Sequence, residues 1–185
     1  PTAKPTGKPT IKPSVAPSKA PNGTNLQPSG VSNVPQKLRK GQLVKDMKTK
    51  AYYKILSITS SGGTVAYVKP VGKKSKSITI AASTVLDGHT FKVVAVSAKA
   101  YKGCSKLQKV TIGKNITSIG KNAFAGCKKL KKITIKSTKL KSSSIGKNAF
   151  KGTAKKLTVK VPKKQYKAYK KFLKKKGNKT VKVTK

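Results

Sequence analysis

ITSIGKNAFAGCKKLKKITI, residues 116–135, carries the fold in miniature. Its last six residues read L-x-x-I-x-I. Alternation puts Ile133 and Ile135 on one side of a short strand, with Leu130 at the corner. Ahead of that strand, Ala123, Phe124, Gly126 and Cys127 make a compact turn that sends Phe124 into the interior. Gly120 and Asn122 suit the left-handed backbone that a tight corner demands. One such unit cannot bury its own apolar face. Copies stacked on one another bury a continuous core, each touching mainly its neighbours.

The copies are present. VVAVSAKAYKGCSKLQKVTI, residues 93–112, precedes the first stretch with a period of 23 residues. Val96 matches Ile119, Tyr101 matches Phe124, Cys104 matches Cys127, Leu107 matches Leu130, and Ile112 matches Ile135. A third unit, SIGKNAFKGTAKKLTVKV, covers residues 144–161 and arrives after 26 residues, because 137–144 adds three. It carries Thr153 in place of cysteine and moves its leucine by one, to Leu157.

The flanks read differently. After Pro162, the stretch 163–176 places Tyr166, Tyr169, Phe172 and Leu173 on one helical face, and Gly177 is a stop signal. Val181 and Val183 then alternate with polar residues as a last strand. Upstream, 52–58, 64–68 and 78–80 read as strands, with Gly62-Gly63 as a turn and 72–77 as a lysine-rich loop. Asp87-Gly88 is a hairpin signal between 83–86 and 90–96. Proline recurs at positions 1, 5, 9, 13, 17 and 21, so the N-terminal stretch has little to bury and reads as an extended spacer. A first residue that is proline fits a piece of a longer protein. The expected organisation is a disordered Pro/Thr/Ser/Lys linker (1–36), an N-terminal β cap (37–90), repeats (91–161), and a C-terminal helix and strand cap (162–185). The fold class is mainly β with short helical turns: a repeat solenoid with a β-hairpin cap at one end and an amphipathic helix cap at the other.

Charge bounds the function. The 185 residues hold 45 basic side chains, all lysine except Arg39, against Asp46 and Asp87. Salt bridges can hold almost nothing; apolar burial and backbone hydrogen bonds must carry the fold. A net charge of +43 draws polyanions. Lysine is a mobile, well-hydrated point charge without the planar fork of arginine. Loose, salt-sensitive attraction follows, including non-specific nucleic-acid binding at low salt. Stacking should align lysines of successive units into basic columns. Lys106, Lys109, Lys129, Lys132, Lys136 and Lys160 are the candidate binding residues for acidic polymers. A second reading is a polycationic effector acting on nucleic acid or anionic membranes.

Catalytic patterns are missing. Paired carboxylates need more than two acidic residues lying in different elements. No His, Cys, Asp and Glu cluster suggests a metal site, and His89 reads as an exposed turn residue. Gly113-Lys114, Gly120-Lys121 and Gly146-Lys147 are repeat corners and not phosphate loops. No cofactor is expected. Cys104 and Cys127 occupy equivalent places one repeat apart. That suits two buried thiols, and it also lies within disulfide reach. No run approaches the roughly 18 apolar residues of a membrane span.

The form AF-x-GC-x-x-L-x-x-I-x-I, preceded by V/I-x-x-IG-x-x, resembles the BspA-like leucine-rich repeat family over about residues 78–161. Tyr101 for Phe, Ser97 for Gly and Thr153 for Cys are its departures. The resemblance implies a leucine-rich-repeat solenoid from a bacterial secreted or cell-surface protein. It further implies a non-catalytic adhesion module for host glycoprotein, host surface or matrix proteins, or acidic wall polymer.

Overall fold

The computed structural model describes residues 37–185; the linker expected over 1–36 lies outside them. In chain order the strands are β1 (Leu43–Asp46), β2 (Ala51–Thr59), β3 (Gly62–Pro70), β4 (Ser77–Ile80), β5 (Ser83–Leu86), β6 (His89–Val96), β7 (Lys109–Ile112), β8 (Ser118–Ile119), β9 (Lys132–Ile135), β10 (Thr158–Lys160) and β11 (Lys182–Thr184). A 3-10 turn, Lys163–Gln165, leads into helix α1, Tyr166–Leu173.

The L-x-x-I-x-I strands stack as read. β4, β7, β9, β10 and β11 form one parallel sheet in that order. Ile80, Ile112 and Ile135 are in line across it, as are Ile78, Val110, Ile133, Val159 and Val183. All face inward and all but Ile78 are buried. A second parallel series closes the opposite wall: Tyr67 pairs with Val96, Val96 with Ile119, and Ile119 with Ile145.

The turns stack too. The N–H groups of Lys99, Tyr101 and Gly103 donate to the carbonyls of Lys121, Ala123 and Ala125 at 2.7–3.0 Å. Those of Asn122, Phe124 and Gly126 do the same to Lys147, Ala149 and Lys151. Lys99, Asn122 and Asn148 hold the left-handed corner, with φ of 59°, 57° and 60°. Backbone bonding therefore runs between coils all round, which is how a chain nearly without acidic residues satisfies its polar groups.

Aromatic rings fill the axis. Tyr67, Tyr101, Phe124 and Phe150 form a stacked column with centroids 5.4, 5.4 and 6.0 Å apart. Burying each ring is worth about 1.5–3 kcal/mol. At the far end α1 buries Tyr169, Phe172 and Leu173, while Tyr166 is half-buried. The Tyr169 hydroxyl donates to the Ser137 carbonyl at 2.9 Å and accepts from the Leu140 N–H at 3.1 Å. The added residues of the third repeat are thus pinned to the helix.

Two local expectations change. Gly62 and Gly63 are not the turn; Ser60 and Ser61 are, and the glycines begin β3. A Cβ on Gly62 would lie 1.9 Å from the Thr90 carbonyl oxygen, and one on Gly63 2.1 Å from that of Ser57. Glycine is required there by close approach. The helix also stops before 176, because Lys176 turns its carbonyl to the Phe150 N–H at 2.9 Å and so substitutes for a further coil. Asp87-Gly88 does make the hairpin turn, with φ of 49° and 73°, both positive as a type I′ turn requires.

Candidate functional site

The parallel sheet has one face in the core and one outside. Outward positions alternate with the buried ones, so each strand presents two side chains. The first row across the strands is Ser77, Lys109, Lys132, Thr158, Lys182. The second is Thr79, Thr111, Thr134, Lys160, Thr184. No carboxylate stands in either row.

All six candidate lysines are exposed, and the sheet brings only some together. Lys109 and Lys132 are register partners on adjacent strands, about 4.8 Å apart at the backbone. Lys136 follows β9 directly, and its N–H donates to the Ile112 carbonyl at 2.9 Å, which carries the pairing one residue on. Lys160 is level with Thr134 rather than Lys132, so it stands in the threonine row. Lys106 and Lys129 sit at equivalent positions in the loops before β7 and β9. Lys182 belongs to the Lys109 row although composition alone did not mark it. The Val181–Val183 alternation is the signal that places it outward.

The remaining reactive side chains serve the fold. Cys104 and Cys127 are free, buried thiols. Burial pushes the Cys127 thiol up to about 12, and its Sγ donates to the Tyr101 carbonyl at 3.0 Å. Burial also raises the Cys104 thiol, against the opposing pull of the Lys73 charge. Neither is a ready nucleophile, since thiolate is the reactive form. His89 is exposed at the start of β6. Burial acts to raise the Asp46 carboxyl, yet donors hold it below its ordinary value. They are the Thr84 and Thr49 hydroxyls, at 2.6 and 2.7 Å, and the N–H groups of Thr49 and Lys48. Among the described residues no three His, Cys, Asp or Glu side chains come together as metal ligands, and no helix is long and apolar enough to cross a membrane.

Stacked coils with a parallel L-x-x-I-x-I sheet, aromatic rings on the axis and an outer face of lysine and threonine define a leucine-rich-repeat solenoid. Residues 90–184 match the BspA type leucine rich repeat region in six copies, and the chain belongs to that family. Leucine-rich repeats of this kind are interaction modules and typically not catalysts. No curated protein matches. Two solved structures share the fold. One is a leucine-rich cell surface protein from Faecalibacterium prausnitzii, 22% identical over 66% of this chain, with a TM-score of 0.50. The other is a leucine-rich repeat protein from Bacteroides capillosus, 18% identical over 77% of this chain and 99% of its own, with a TM-score of 0.51. The chain spans 37% of the Faecalibacterium protein.

Proposed function

We propose that the chain is a non-catalytic cell-surface interaction module that binds acidic polymers of a host glycoprotein, matrix or bacterial wall through the outer face of its repeat sheet. The observation that carries this reading is the register pairing of Lys109 with Lys132, continued by Lys182 in the same row and flanked by Lys136 and Lys160. Like charges directly opposite on neighbouring strands repel. A polyanion laid across the strands relieves that repulsion and meets lysine on β7, β9 and β11 in one row and on β10 in the other. Lys106 and Lys129 extend the field toward the loops. The threonine row beside it offers hydroxyls that can donate to sugar or phosphate oxygens. In this reading 1–36 is a spacer, 37–90 and 162–185 close the two ends, and the protein works outside the cell.

Binding of the full chain to teichoic acid, mucin, heparin and DNA at low and physiological salt tests it. Retention of one glycan or wall polymer at physiological salt supports the module. Equal binding to all four at low salt, lost together at physiological salt, leaves only generic attraction and contradicts it. Retention of DNA alone, or leakage of dye from anionic vesicles, would favour the polycationic effector instead. The apolar side of α1 is spent on Tyr169, Phe172 and Leu173 inside the protein, which counts against insertion of that helix into a membrane.

A further inference from the structure

Of the three repeat units only the first places a tyrosine in the aromatic column, Tyr101 stacked on Tyr67 of β3, and that end of the column borders a cavity. Tyr101 stands where the other units have Phe124 and Phe150. It and Tyr67 line a cavity of about 450 Å³ between the β1–β2 turn, the 71–76 connection and β4. That size falls in the range of small-molecule sites, about 300–1,000 Å³. The rim is basic: Lys50, Lys73 and Lys74 all line it. Ser75, Ser77 and Thr79 add hydroxyls, and no carboxylate lines it.

Two phenol hydroxyls of the lining residues are bonded to each other. The Tyr101 hydroxyl donates to that of Tyr67. Two hydroxyls carry two protons, and this bond uses one. Tyr67, a residue only 4% exposed, donates its own proton to no other described residue. Burial raises both phenols well above their ordinary values, so the donor stays protonated. Asp46 is the acidic group nearest the rim, through Thr49, and its oxygens already accept from Lys48, Thr49 and Thr84. The walls are fixed at both ends. Val71 N–H donates to the Lys50 carbonyl at 2.9 Å, and Gln108 N–H to the Lys76 carbonyl at 2.7 Å.

We infer that this cavity is a binding site for a single sugar or polyol unit carrying an oxyanion, carboxylate or phosphate. Lys73, Lys74 and Lys50 neutralise the oxyanion, the Tyr67–Tyr101 pair donates to one of its oxygens, and Ser75 and Ser77 meet the neighbouring hydroxyls. The site shares Ser77 and Thr79 with the end of the sheet face but none of its lysines, and it goes beyond that face because it recognises one unit rather than a repeating charge. The outward rows end at it, since Ser77 and Thr79 are the first members of those rows.

Isothermal titration of the full chain at physiological salt with glucuronate, glycerol phosphate, inorganic phosphate and glucose tests the site. The expected result is one saturable site for glucuronate or for glycerol phosphate; which of them binds tells carboxylate from phosphate. Lys73→Gln with Lys74→Gln should weaken that binding about tenfold or more, as loss of charge-assisted hydrogen bonds does. Tyr67→Phe with Tyr101→Phe, which removes both hydroxyls and keeps both rings, should weaken it about threefold or more while the chain stays folded by thermal melting. Lys174→Gln with Lys175→Gln, an equal change of charge on the distant helix end, should weaken it less than about twofold. Absence of saturable binding by either anion overturns the proposal. So does an equal loss in the two lysine double variants. Inorganic phosphate binding as tightly as either anionic unit would overturn the assignment to a sugar or polyol.

Discussion

The middle coil and the two end coils are built from one sequence pattern, yet they solve different problems. The middle coil, 116–135, meets another coil on each side. Its Phe124 is stacked between Tyr101 and Phe150, and its turn donates to one neighbour and accepts from the other. The end coils meet something else. The first has Ser97 for glycine, Lys99 for asparagine and Tyr101 for phenylalanine, and it abuts β3. The third has Thr153 for cysteine and abuts the segment after α1, where Asn178 donates to the Thr153 hydroxyl at 2.8 Å and to the Ala154 carbonyl at 3.1 Å. Departures from the repeat therefore mark where a coil faces a non-repeat partner. A change that suits an end should be costly in the middle, and the reverse.

The largest effect should come from the middle of the column. Phe124→Ala removes a ring with aromatic neighbours on both faces and should cost about 3–5 kcal/mol in chemical denaturation. Tyr101→Phe keeps the ring and loses one hydroxyl pair, which should cost about 1–2 kcal/mol. Equal costs would abolish the distinction between middle and end. A smaller contrast sits at the corners. A Cβ on Gly120 would lie 2.3 Å from the Ala98 nitrogen, so Gly120→Ala should cost about 1–3 kcal/mol in the same assay. Ser97→Gly, at the matching place in the first coil, should cost under about 1 kcal/mol. The reverse order would mean that coil-on-coil contact does not select the glycine.

The smallest effect concerns pH. The Asp46 carboxyl is held below its ordinary value in the folded chain, so its stabilisation is complete above the unfolded value and is lost as pH falls through the lowered one. Thermal melts from about pH 7 down to about pH 2 should show this step in the native chain and a flatter profile in Asp46→Asn.

Much of this architecture was written in the period of the chain. Alternation at Ile133 and Ile135, repeated at Val110 and Ile112, gave the strands, their parallel stacking and the inward face. Partners distant in sequence were not legible in that way. β3 pairs in parallel with β6, an arrangement that no local pattern marks, and Gly62-Gly63 consequently looked like a turn. The added residues in 137–144 show no partner in the local pattern; it is Tyr169, about thirty residues on, that reaches back to Ser137 and Leu140. For the candidate site, exposure followed from composition, but alignment did not. Lys160 and Thr134 share a register position because the third unit repeats after 26 residues, and lysine counts carry no register. The Tyr67–Tyr101 pair joins side chains 34 residues apart, one of them outside the repeats as read.

The central claim is that the position of the lysines, and not their number, makes the binding surface. Its most direct test compares two triple variants of equal charge for binding, at physiological salt, to the polymer retained by the native chain. Lys109, Lys132 and Lys160 on the sheet face are changed to Gln in one; Lys167, Lys170 and Lys171 on the helix are changed in the other. The account predicts that the sheet variant loses about tenfold or more in affinity and shows a shallower salt dependence, while the helix variant stays within about twofold. Equal losses in the two variants would contradict it.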